Sequence, residues 1–347
     1  MKDFMHKVSK VILILLIIFI VINLGVIIFV YANHSKKLNN EAGLIEQPPG
    51  EMVEVGGHAM HVYQAGNKES DITLVFMHGI GNTDASIAMQ PMFEALQEAY
   101  HIAYVDRSGN GYSEISQQER DIDTILEETR QALKAAGVEG VYVLIPHSTA
   151  GIEAIYWAQK YPNEIKGIIG VDMKYAEEFK EYDGSELGFK KTLLVMSKIG
   201  AQRYTKAAYP SNLYHIYSEK QIAIRSALIF ANGYNKDMYH EEFSLGVNAA
   251  KSAQMDFPID IPILLILANP IKDPYLSTDE MIQIELATLQ EMYPDYDMEA
   301  LYNERTVQYF SQYGNVTTKE MAGPSAIYTY IPKEIADEIT LFMEMTN

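Results

Sequence analysis

From Val11 to Tyr31 the chain reads VILILLIIFIVINLGVIIFVY, with no charged side chain and only Asn23 and Gly25 interrupting the apolar run. As a helix rising 1.5 Å per residue, it would span roughly 31 Å, close to the ~30 Å hydrocarbon core of a bilayer. The run predicts a transmembrane anchor over 11–31. Val30-Tyr31-Ala32 would also pass as a signal-sequence cleavage site, but the run is longer than a signal peptide's apolar stretch. Lys2, Lys7 and Lys10 mark residues 1–10 as a cytoplasmic tail. That orientation predicts a single-pass protein of the cell membrane with its globular domain outside. Residues 32–50 are polar and end in Pro48-Pro49-Gly50, the pattern of a linker.

Beyond the linker the pattern changes to short runs. MVEV, Gly56-Gly57 and HAMHVYQAG predict a β-hairpin. Fully apolar strands follow at Ile72–Met77, His101–Val105, Val141–Ile145, Ile165–Val171 and Ile261–Leu267, with a last strand at Val316–Met321. Helical patterns separate them at Ala85–Tyr100, Asp121–Ala136 and Thr149–Tyr161, and another closes the chain at Lys333–Met345. Buried strands alternating with helices predict an α/β fold, a mostly parallel sheet covered on both faces. Residues 174–257 break the alternation with Tyr-rich helical sequence and no clear strand, as an insertion above the sheet would.

Charge narrows the partners. The 347 residues carry 27 Lys and Arg against 46 Asp and Glu, a formal charge of −19. Such a field repels a nucleic-acid backbone. Residues 1–40 hold five Lys and one Asp, so residues 41–347 carry −23. An acidic domain on a basic stalk is expected to stand off an anionic bilayer. Cysteine is absent, which removes disulfides, thiolate nucleophiles and thiolate-held metals. His58 and His61, three apart in a strand, point to opposite faces and are read as ordinary strand residues rather than metal ligands. The turn from His78 to Asp84 follows a strand as a dinucleotide fingerprint would. Asp84 occupies the third glycine position, where its charge opposes a pyrophosphate, and no P-loop motif is present.

The chemistry concentrates where strand Val141–Ile145 runs into Pro146-His147-Ser148-Thr149-Ala150-Gly151 and a helix. A serine at a tight strand-to-helix turn projects its hydroxyl above the sheet edge, beside the first N–H groups of the helix. Ser148 is either such a nucleophile or a helix cap. In order along the chain, His78-Gly79, Asp106-Arg-Ser-Gly-Asn-Gly-Tyr-Ser113 and this turn resemble the α/β-hydrolase superfamily over residues 51–347. The resemblance implies an α/β-hydrolase domain with a cap at about 174–257. It implies Ser148 as nucleophile, the N–H groups of Ile80 and Thr149 as oxyanion hole, and supporting roles for His78, Gly79, Asp106 and His147. It places the acid at Asp273, with Asp172 as the alternative position. It implies no metal and no organic cofactor.

The sequence departs from the pattern in two places. Pro146 and Ala150 replace the elbow glycines, which the turn can accommodate. The catalytic-histidine position after the last strand is Pro324, and no histidine follows His240. A serine hydroxyl is a weak nucleophile without a base in reach. His215 and His240 of the insertion are candidates to supply one. Two functions therefore stand: a serine hydrolase cleaving a small-molecule or peptide ester or amide through acyl-Ser148, or a pseudoenzyme keeping the pocket for a ligand or partner. Tyr204, Tyr209, Tyr214, Tyr217, Tyr234 and Tyr239 suggest an aromatic substrate pocket or a packed cap core.

Overall fold

The computed structural model describes residues 2–184, 188–273, 283, 286–287, 290–291, 294 and 303–346. Eight strands form one sheet: β1 (Glu51–Val55), β2 (His58–Gly66), β3 (Ile72–Met77), β4 (His101–Val105), β5 (Val141–Pro146), β6 (Ile165–Val171), β7 (Ile263–Asn269) and β8 (Val316–Ala322). Their spatial order is β1-β2-β4-β3-β5-β6-β7-β8. β1 pairs antiparallel with β2, and β2 with β4. The remaining strands are parallel. The hairpin turns on Gly56 and Gly57, both at positive φ, where a side chain would be strained. β3, β4, β6 and β7 are buried along most of their length, as their mostly apolar sequences require.

Helix α1 (Lys2–Ile45) precedes the sheet. Short helices α2 (Ala85–Ala88) and α3 (Gln90–Leu96) follow β3, where the sequence predicts one helix; Pro91 starts the second. Helix α4 (Ile122–Ala135) is capped by Asp121, whose side chain accepts from the N–H groups of Asp123 and Thr124. Helix α5 (Ala150–Lys160) follows β5. Between β6 and β7 lie α6 (Lys190–Ile199), α7 (Glu219–Asn232) and α8 (Lys236–Ala253), with no strand among the described residues there. α7 starts in a capping box formed by Ser218 and Gln221. Helices α9 (Glu304–Phe310) and α10 (Pro332–Thr346) complete the chain. Two apolar cores fill the two faces of the sheet, one centred on Trp157 and Phe310, the other on Phe76, Phe93 and Tyr328.

The predicted linker differs from the structure. Residues 32–45 continue α1 as helix, so the helix runs 44 residues, about 66 Å. No proline interrupts them before Pro48, and this stretch packs against α6 and α7. α1 is long and apolar enough to cross a membrane by length and composition.

The helices between β6 and β7 are fixed to the sheet's carboxyl edge by buried charges. Arg107 after β4 donates to Glu153 of α5 at 2.5 and 2.8 Å and to Glu241 of α8 at 2.9 Å. Arg120 donates to Glu241 at 3.0 Å and to Glu128 of α4 at 2.6 Å. Arg225 of α7 donates to Asp84 at 2.6 Å, and Tyr217 O–H to the Ala88 carbonyl at 2.6 Å.

Candidate active site

Ser148 stands at φ +55°, the strained left-handed backbone that the strand-to-helix turn predicted for a nucleophile would need. Its carbonyl accepts from Gly151 N–H at 3.0 Å and Lys174 N–H at 2.9 Å, locking the turn between α5 and the segment after β6. A Cβ on Gly151 would lie 2.3 Å from the Lys174 carbonyl oxygen. The glycine this elbow requires is therefore Gly151. Ala150, fully buried, is accommodated. The sequence pattern points instead to the positions two before and two after the serine, Pro146 and Ala150, one residue short of Gly151. Gly79 answers another close approach, since a Cβ there would meet Ser148 Cβ at 3.0 Å and Thr149 N at 3.1 Å.

Ser148 opens on a pocket of about 370 Å³ lined by Gly79, Ile80, His147, Arg225, Pro324 and Tyr330, among others. Ile80 N–H, half of the predicted oxyanion hole, donates to Thr149 Oγ1 at 3.0 Å. An oxyanion would take that N–H only after the Thr149 hydroxyl turns aside. Among the described residues Ser148 Oγ makes no hydrogen bond.

Among the described residues no histidine considered as a base is hydrogen-bonded to Ser148 Oγ. His147 lines the pocket, but its Nε2 donates to the Ser325 carbonyl at 3.2 Å and its ring packs edge-on against Tyr328. Its Nδ1 is buried without a partner. Burial pushes its pKa down to about 4, against the opposing pull of Asp172. His78 donates from Nδ1 to the Gly79 carbonyl at 2.8 Å, and burial again lowers its pKa to about 4, assisted by Arg107. His215 and His240 are exposed and line no part of the Ser148 pocket. Both buried imidazoles bind their proton less readily folded than unfolded. Stability is therefore expected to be full above pH 6.5 and to fall as pH drops from 6.5 toward 4, read as a falling urea midpoint.

Both acid positions hold hydroxyls. Asp273, buried after β7, accepts from Tyr214 O–H at 2.6 Å. Asp172, at φ +45°, accepts from Ser325 O–H at 2.5 Å. Ser325, absent from the sequence reading, thus joins Asp172 to His147 through its side chain and carbonyl. Its one signal was its place immediately after Pro324. Asp106 supports the site from below: its carboxylate meets His61 Nδ1 at 2.7 Å and accepts from Tyr104 O–H at 2.9 Å and Tyr112 N–H at 3.0 Å. His58 lies 2.8 Å from Ser108 Oγ, so both hairpin histidines secure the 106–113 loop. The six tyrosines of the insertion do not line the Ser148 pocket; the rings there are Tyr328 and Tyr330, which follow β8. Their shared position near the carboxyl edge is a product of topology, invisible in composition. Among the described residues no cluster of His, Asp and Glu could hold a metal ion.

A mostly parallel eight-stranded sheet, a serine elbow after β5 and an oxyanion-type loop after β3 define an α/β-hydrolase fold. The α/β-hydrolase fold family model matches residues 72–194, and the chain belongs to this family. It is 33% identical over 339 residues to the uncharacterized Bacillus subtilis protein YbdG, covering 95% of each chain. A 2-(acetamidomethylene)succinate hydrolase of Mesorhizobium japonicum is 22% identical over 46% of this chain and 55% of its own. Among solved structures, a Vigna radiata epoxide hydrolase variant superposes with a TM-score of 0.60 at 14% identity, covering 86% of this chain and 99% of that one.

Proposed function

We propose that the protein is a membrane-anchored serine hydrolase that cleaves an ester or amide through an acyl-Ser148 intermediate, with low intrinsic turnover. The single observation that carries this reading is the strained Ser148 elbow facing a pocket beside the Gly79–Ile80 loop. Strain of this kind costs of order 1–3 kcal/mol and persists where the surrounding structure holds it. The anchor reading rests on the apolar stretch of α1.

In the proposed reaction Ser148 Oγ attacks the substrate carbonyl carbon. The oxyanion is received by the N–H groups of Ile80 and Thr149, worth about 10²–10³ in rate per donor. No imidazole among the described residues is hydrogen-bonded to Ser148 Oγ, so the serine proton leaves to water in the pocket, which makes acylation slow. Collapse of the tetrahedral intermediate breaks the bond to the leaving group, which takes a proton from pocket water and departs as the alcohol or amine. A second water molecule then adds to the acyl-serine, releasing the carboxylic acid and restoring the Ser148 hydroxyl.

Pro324 at the histidine position, together with an Ser148 Oγ lacking any hydrogen bond among the described residues, favours a second reading. In it, the pocket binds a ligand or partner without turnover. Labelling of the full chain with a fluorophosphonate separates the two. Slow labelling that disappears in Ser148→Ala is the expected result. A parent chain that stays unlabelled under prolonged exposure would leave the binding reading in its place.

A further inference from the structure

A second cavity, of about 390 Å³, lies between α6, α7 and the loop after β3. Its walls are mostly apolar: Leu193 and Met196 of α6, Ile229 of α7 and Met238 of α8. It meets the Ser148 pocket at Gly81, which lines both. An apolar pouch abutting a polar reaction site suits a substrate with a long alkyl tail and a reactive head.

The position of this cavity relative to α1 identifies where such a tail comes from. The apolar run of α1 ends at Tyr31, and two residues on Asn33 donates to Tyr204 O–H at 2.9 Å. Two residues of helix rise about 3 Å, within the headgroup layer of roughly 5–7 Å per leaflet. His34 accepts from Arg203 Nε at 2.8 Å, and Arg203 also pairs with Glu41 at 2.5 Å. Gly200, at φ +77°, sits so close to His34 that a Cβ would lie 2.1 Å from the ring. The C-terminal end of α6 is thus held at the level where a bilayer would end. Val195 and Met196, near that end of α6, are 60 and 41% exposed, and Met196 also lines the cavity. Large apolar side chains this exposed beside a membrane anchor are placed for insertion between headgroups.

The charge agrees. Residues 190–206 hold five cations and no Asp or Glu, in a chain of formal charge −19; Lys190 and Arg203 are paired with Glu242 and Glu41, which leaves Lys191, Lys198 and Lys206. Lys191, Lys198 and Lys206 are exposed and form no ion pair among the described residues. The domain as a whole would be repelled by an anionic bilayer, but the face nearest the bilayer is basic. At headgroup distance the local charges dominate, because screening removes those more than about 8 Å away.

We propose that α6 lies on an anionic bilayer and that the cavity beneath it takes the alkyl chain of a bilayer lipid, placing the lipid's head beside Ser148. This deepens the hydrolase reading and rests on it, since it names the substrate class of the same site. The test uses the full chain in vesicles of phosphatidylcholine and phosphatidylglycerol containing a trace of phosphatidylcholine with a diazirine on its acyl chain. After irradiation the labelled residues are mapped by mass spectrometry. Label is expected both in 11–31 and in the cavity walls around 193–205 and 229–238. Ile229→Trp and Leu193→Trp, filling the cavity from opposite walls, are each expected to lower cavity label about fivefold or more while 11–31 stays labelled. Lys191→Glu with Lys198→Glu should lower it by a similar factor of about five in anionic vesicles and leave it unchanged in pure phosphatidylcholine. Label confined to 11–31, or cavity label unaffected by both tryptophans, overturns the proposal. Label absent from 11–31 overturns the anchor reading with it, whereas failure of the serine chemistry alone would show in fluorophosphonate labelling and leave these maps unchanged.

Discussion

Pro324→His is expected to raise the rate of fluorophosphonate labelling at Ser148 by about 10²-fold or more, because a general base in reach converts a weak nucleophile into a competent one. Pro324 already lines the pocket into which Ser148 opens. It follows Gly323 at φ +149°, a turn that the substitution leaves intact. Two carboxylates are candidates to orient the new imidazole: Asp273, which accepts from Tyr214, and Asp172, which accepts from Ser325, the residue next to position 324. Either would keep the ring's far nitrogen protonated, leaving the near nitrogen to accept from Ser148 Oγ. The measurement is the second-order labelling rate of parent, Pro324→His, and Pro324→His combined with Ser148→Ala. A correctly folded Pro324→His chain that labels no faster than the parent would mean that this loop does not present its residues to Ser148. Adding Asp273→Asn or Asp172→Asn identifies the orienting acid as the one whose loss removes most of the gain.

Glu241→Ala should cost about 3–5 kcal/mol of stability, the penalty for breaking a buried ion pair by removing one partner. Glu241 is almost fully buried and accepts from both Arg107 and Arg120. Those two guanidiniums hold its carboxylate below its ordinary pKa despite the opposing effect of burial. Arg107 retains Glu153 and Arg120 retains Glu128 in the variant, but each loses its shared neighbour in a site with little water. Glu241→Gln keeps an acceptor and should lose less. Chemical denaturation gives the magnitude, and limited proteolysis should show α6–α8 released before the sheet. Equal stability of parent and Ala variant would mean that the network contributes nothing net to the attachment of these helices.

What was legible in the sequence follows from how locally each feature is encoded. The strands are short, mostly apolar runs, so β3, β4 and β6 are readable to the residue. The serine turn was readable because a strand, a small-residue turn and a helix are contiguous. Partnerships across the carboxyl edge were not. Tyr214 and Asp273 are 59 residues apart, and Ser325 and Asp172 153 apart. Nothing in either local pattern points to the other. The linker was misread for a related reason. Polar residues 32–45 have no apolar stripe that dictates a helix alone; contacts of His34 and Glu41 with Arg203 hold it in place. The shielding of Ile80 N–H by Thr149 was likewise hidden, since it depends on one rotamer.

The 44-residue helix has a mechanical consequence. Its upper end packs against α6 and α7 and is joined to the turn after α6 through Arg203, and α7 and α8 are joined to the core through Arg225 and Glu241. In the anchored arrangement proposed above, α1, the helices α6–α8 and the sheet would turn as one lever with its fulcrum in the bilayer. A longer apolar segment accommodates a thinner bilayer by tilting. Through such a lever, bilayer thickness would set how high the Ser148 pocket rides above the lipid and at what angle its mouth is presented.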